Sequence, residues 1–112
     1  MLEKLLNLKA LDYSFESLKK IDKSLRNTGV TFDFYFENLY YWLVPYTSQC
    51  IINEKKATWD LKYNEKEHVI EPLVKLEDGR SINLFTDLND DALENFNIIS
   101  IHSIAQRRLA TL

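Results

Sequence analysis

Phe32-Asp33-Phe34-Tyr35-Phe36-Glu37-Asn38-Leu39-Tyr40-Tyr41-Trp42-Leu43-Val44-Pro45-Tyr46 holds eight of the fourteen aromatic residues in a chain of 112. Burying a few of those rings is the largest favourable contribution open to this sequence, at roughly 1.5–3 kcal/mol for each large side chain. Phe32, Phe36, Leu39, Leu43 and Tyr46 can share a helical face, and so can Tyr35 with Trp42. The spacing predicts a helix from about 31 to 44, apolar on more than one side and therefore central. Pro45 is expected to kink this helix or to open a second piece. Residues 46–54 fit either a helical continuation or a strand at Cys50-Ile51-Ile52.

Working outward towards the N-terminus, Phe15, Leu18, Ile21 and Leu25 recur at intervals of three and four, the stripe of a helix docked by one face. Ser14 is placed to cap it, Glu16 sits in its first turn, and Thr28-Gly29 supplies the left-handed stop. Leu2, Leu5, Leu6, Leu8 and Leu11 suit a shorter helix before it.

Towards the C-terminus the period changes to two. Ala57, Trp59, Leu61 and Tyr63 alternate with Thr58, Asp60, Lys62 and Asn64, the pattern of a half-buried strand. A charged turn over 64–68 leads to a second strand over 69–77, with Ile70, Val74 and Leu76 inward and Pro72 at an edge or bulge. Asp78-Gly79 suits a two-residue type I′ hairpin. It is expected to set Glu77 opposite Arg80 and to open a third strand over 80–86, with Ile82 and Leu84 inward. The following run, Asp87 to Asn95, fits a short helix or a loop. In the tail, Ile101, Ile104, Ala105, Leu109 and Leu112 fit a helix, although Asn97-Ile98-Ile99-Ser100-Ile101 could begin as a strand. The expectation is a single α+β domain over 1–112. N-terminal helices pack on an antiparallel meander of three to four strands, closed by a C-terminal helix.

Composition narrows the function classes. Two Gly and two Pro are too few for a disordered chain. A lone cysteine, Cys50, has no intrachain partner, which fits a reducing cytoplasm. The first ten residues read as no secretory signal, and Asp33, Glu37, Asn38 and Pro45 interrupt the aromatic stretch well short of the ~20 apolar residues of a membrane span. A net charge of −3 argues against a general nucleic-acid binder. Lys19, Lys20, Lys23 and Arg26 make the basic cluster of the sequence. Helix, Thr28-Gly29 turn and helix could be drawn as a helix-turn-helix, but its second helix would carry rings and two acids where polar readers and a positive field are needed.

Several residues invite a chemical reading. Asp33 and Glu37, one turn apart, could hold a divalent metal or share acid–base work in a small metal-dependent hydrolase; the plainer reading is a solvated helix edge. His68 and His102 stand in no metal-ligand spacing, and Cys50 reads as a small core residue. Asp87-x-Asn89-x-Asp91 begins like a calcium loop but fails at Ala92 and Ile98, where Gly and Glu belong. No catalytic, cofactor or metal residues are therefore assigned. Asp87, Asp90, Asp91 and Glu94 lie in a run without a base, a local negative patch of the kind that speeds encounter with a basic partner.

Leu11-Asp12-Tyr13-Ser14-Phe15-Glu16-Ser17-Leu18 resembles the start of the first helix in a widespread group of small bacterial α+β domains. Tyr35-Phe36-Glu37, the Trp59 strand and the Asp78-Gly79 hairpin follow in similar order, with Phe36 standing where such domains often carry Gly. That group includes immunity proteins, the cytoplasmic antidotes of polymorphic or contact-dependent growth-inhibition toxins. The resemblance implies stoichiometric binding to a cognate toxin, often a cationic nuclease domain, by covering its active site or substrate surface. The contact residues expected on that reading are Asp87, Asp90, Asp91 and Glu94, then Glu37 and Tyr40. A non-catalytic adaptor or homodimer using the aromatic helix is a further alternative.

Overall fold

The computed structural model describes residues 2–6, 8–9, 11–95 and 100–110. Helix α1 (Leu2–Leu5) and α2 (Phe15–Thr28) precede α3 (Phe32–Phe34), which runs through a π-helical turn (Tyr35–Leu39) into α4 (Tyr40–Glu54). Strands β1 (Ala57–Asn64), β2 (Val69–Leu76) and β3 (Ser81–Ile82) follow, then α5 (Leu84–Asn95) and α6 (Ile101–Ala110). The fold is α+β, with one antiparallel sheet in the order β1-β2-β3.

Helix α2 forms as its sequence predicts. Ser14 Oγ accepts the Ser17 N–H at 3.2 Å, and the helix ends at Gly29, whose φ of 64° is the left-handed region glycine enters without a Cβ clash. Leu18, Ile21 and Leu25 are buried. Asp22 lies beside that stripe and is only 3 % exposed. Its carboxylate reaches the start of α6, accepting the N–H groups of Ile101 at 2.6 Å and His102 at 3.1 Å. Two of the donors that a helix start leaves unpaired are met in this way. Burial pushes the Asp22 pKa up, against the lowering pull of those N–H groups and of Arg26.

The aromatic run is one helical rod, and Pro45 does not divide it: α4 continues to Glu54, with Cys50 and Ile51 buried. The irregularity falls earlier. Tyr40 N–H bonds back to the Tyr35 carbonyl, five residues away. One extra residue in a turn rotates everything before it by ~100° relative to an unbroken α-helix. Tyr35 therefore enters the core at 1 % exposure, while Trp42, expected on the same face, is 49 % exposed. Leu39, Leu43 and Tyr46 are buried as expected, and Phe32 is not.

The β1–β2 register runs from Ala57 opposite Leu76 to Asn64 opposite Val69. Leu76 N–H donates to the Arg80 carbonyl at 2.9 Å, so the even-numbered nitrogens of β2 face the β3 side. Strand β3 pairs only with Val74 and Lys75, so the donor missing at Pro72 falls on an open edge.

Four expectations for the sheet are corrected. Gly79 has φ 90° while Asp78 is not left-handed, and Gly79 N–H bonds to the Leu76 carbonyl at 3.0 Å. The connection is thus a three-residue loop, a type I turn closed by a left-handed glycine, and not a two-residue type I′ turn. Arg80 consequently pairs with Asp78, Nε to Oδ2 at 2.8 Å, and not with Glu77. The third strand is two residues long where 80–86 was expected. Asn83 Oδ1 accepts the Thr86 N–H at 3.2 Å and starts α5, whose Leu84, Leu88 and Ala92 are all buried. Four-residue spacing of apolar side chains outweighs the strand pattern here. Finally, β1 is not half-buried: every residue from Thr58 to Tyr63 is exposed, and on the shared face only Val74, Leu76 and Ile82 reach the core.

Ile101, Ile104 and Ala105 of α6 close that core, giving the C-terminal helix. Asn97, Ile98, Ile99 and Leu112 lie outside the described residues. Among the described residues no helix is long and apolar enough to cross a membrane.

Candidate binding surface

A cleft of about 680 Å³ opens between α4, the β1–β2 hairpin and α5. Each element contributes for a local reason. The π-helical turn sets Tyr40 inward and leaves Tyr41 68 % exposed at the start of α4. The hairpin brings Val69 and Ile70, both exposed because the helices cover only the proximal half of the ribbon. Helix α5 adds Phe85, whose ring meets Tyr40 edge-on at 5.7 Å and Tyr41 at 6.4 Å.

Around this apolar floor stand Glu67, Glu71 and Asp90, and no basic residue lines the cleft. Glu71 is held by two amides, Asn83 Nδ2 at 3.0 Å and Asn64 Nδ2 at 3.3 Å. Tyr40 donates its hydroxyl to the Phe85 carbonyl, and burial pushes its pKa up. Rings beneath carboxylates suit a cationic side chain, whose alkyl stem lies on the rings while its charge meets the acids.

A second cleft of similar size lies on the neighbouring face of α4, lined by Tyr13, Trp42, Pro45, Tyr46 and Trp59 among others. Tyr13 is left-handed, with φ 61°. It is held there by its N–H on the Tyr46 hydroxyl at 3.0 Å, by Asn53 Nδ2 on its carbonyl at 3.3 Å, and by stacking on Tyr46 at 4.6 Å. Trp59 Nε1 donates to Gln49 Oε1 at 3.0 Å.

The six expected contact residues separate. Asp87, Asp90, Asp91 and Glu94 do gather along α5, but α6 sets Arg107 and Arg108 against them in one shallow cleft. Asp87 is clamped by Arg108, whose Nε donates to Oδ2 at 2.7 Å. The patch that looked uncompensated in the sequence is thus half neutralised by residues twenty positions on. Asp90 and Glu94 are exposed, and Asp90 faces the aromatic cleft as well. Glu37 is exposed on the π-helical turn and lines neither cleft. Tyr40 is 8 % exposed, a wall of the core more than a free contact.

Asp33 and Glu37 are both exposed, and neither lines any of the three clefts described above. Among the described residues no three His, Cys, Asp or Glu side chains gather as a metal site would require. The calcium-like run is part of helix α5, with Ala92 buried. Cys50 is buried and its thiol is pushed up to about 11 by desolvation. His68 sits in the hairpin turn with φ 55°, near the Tyr63 hydroxyl. His102 is half-buried, edge-on to Phe15.

Sequence reasoning assigned Trp42, Trp59 and Ile70 to the interior, and they are exposed; Tyr41 had no assigned face. For the strand residues a usable signal was the charge beside them: Glu65, Lys66 and Glu67 stand at the ribbon tip, where no core could follow. Comparison of the chain with family models, with curated proteins and with solved structures gives no match.

Proposed function

We propose that this chain is a non-catalytic protein-binding inhibitor, an immunity protein that neutralises a basic bacterial toxin by covering its active site or substrate surface. The observation that carries the reading is the cleft between α4, the hairpin and α5, with its floor of Tyr41, Ile70 and Phe85 and its three carboxylates. Binding energy in protein interfaces concentrates in a few aromatic and arginine residues that become buried between the partners. A lysine or arginine from the partner would fill this one, and the net charge of −3 would steer the approach.

The test is co-expression with the protein encoded immediately upstream. A stable one-to-one complex and relief of any growth arrest caused by that protein support the reading. Persistence of arrest, with no complex at low salt, removes it.

A further inference from the structure

The outer edge of β1 is unusually well suited to a copy of itself. The Leu76–Arg80 bond shows that odd-numbered residues of β2 turn their N–H and C=O groups towards β1. Through the register, Leu73 lies opposite Asp60 and Glu71 opposite Lys62, so even-numbered residues of β1 bond inward. Trp59, Leu61 and Tyr63 must then present their backbone groups outward. An independent mark agrees: Leu61 N–H is taken by the neighbouring Asp60 Oδ1 at 2.8 Å, and not by β2. All residues from Thr58 to Tyr63 are exposed.

We propose that two copies pair antiparallel through β1, centred on Leu61, joining their sheets into one of six strands. In that register Leu61 faces Leu61 of the second copy and Trp59 faces its Tyr63, each as a hydrogen-bonded pair built from outward backbone groups. Asp60 faces the second copy's Lys62, and Lys62 its Asp60, at the closer non-hydrogen-bonded positions where cross-strand charges interact best. Neither Asp60 nor Lys62 forms a salt bridge with a described residue of its own chain. Sliding by two residues either way sets Asp60 against Asp60 or Lys62 against Lys62. Sliding by one breaks both the ladder and the match of faces. The centred register is therefore the one the sequence selects, and it uses the full run from Thr58 to Asn64. Pairing exchanges the Asp60–Leu61 contact for a ladder bond and an ion pair. It also covers the edge that an isolated ribbon would leave as a template for disordered association.

This inference goes beyond the toxin-binding reading and stands or falls without it. The experiment is sedimentation of the full chain over a concentration series at low salt. The wild type is expected to move from one chain towards two. Asp60→Lys alone and Lys62→Asp alone each turn two attractive pairs into two repulsive ones and are expected to weaken dimerisation roughly tenfold. Mixing those two variants, or combining both changes in one chain, is expected to restore it. Leu61→Pro removes an outward N–H without touching the β1–β2 ladder, and is expected to give a monomer with unchanged circular dichroism. A wild type that stays monomeric throughout overturns the proposal. So does a dimer that survives Leu61→Pro or ignores the charge exchange.

Discussion

Asp22 ties two helices together through one carboxylate. Removing it in Asp22→Ala leaves the buried Ile101 N–H and the half-buried His102 N–H without this acceptor, and denaturant unfolding is expected to show a loss of about 2 kcal/mol. Its pKa lies above the ordinary 3.8 in the folded chain. Between 3.8 and that raised value the folded state holds more protons than the unfolded, so this residue makes stability fall as pH rises through the interval. Asp22→Asn is expected to remove that slope, read from unfolding curves across the acid range; an unchanged slope would mean that other carboxyls set it. The sequence carried a signal for this residue, since Asp22 stands four positions after Leu18 on the apolar stripe. What could not be read was its partner, seventy-nine residues away. Thr47 is the opposite case: its hydroxyl is buried with no hydrogen-bond partner among the described residues. Thr47→Val is expected to raise stability by about 1 kcal/mol.

At the scale of elements, helix α2 was fully legible because its cap, stripe and stop are all local. The π-helical turn was not, because its signal is a clash of registers: Tyr35 and Trp42 cannot both be buried on one rod once Leu39, Leu43 and Tyr46 are. The hairpin was placed correctly and its turn misread, since Asp-Gly serves both two- and three-residue loops and only the backbone at Asp78 separates them. Gly79→Ala meets no atom within 4 Å, so its cost is backbone strain alone, expected at about 1 kcal/mol. The short third strand failed for a plainer reason. Ile82 and Leu84 alternate like a strand, but Leu84, Leu88 and Ala92 make the longer and better-buried pattern.

For the molecule as a whole, the rings divide into those that hold the core and those that face outward. Leu43→Ala, at 0 % exposure, is expected to cost roughly 2–5 kcal/mol, whereas Leu93→Gln, at 63 %, is expected to stay within about 0.5 kcal/mol. Site identity was only partly legible in the sequence. The acids of α5 were visible, but not the arginines of α6 that the fold sets beside them, because charge compensation across helices leaves no local pattern. The most direct test of a cation-receiving aromatic cleft is calorimetric titration of the upstream-encoded protein with variants of this chain. Tyr41→Ala and Asp90→Lys are each expected to weaken binding at least about tenfold with folding intact, and Glu94→Lys far less. Full affinity in both cleft variants would contradict the account.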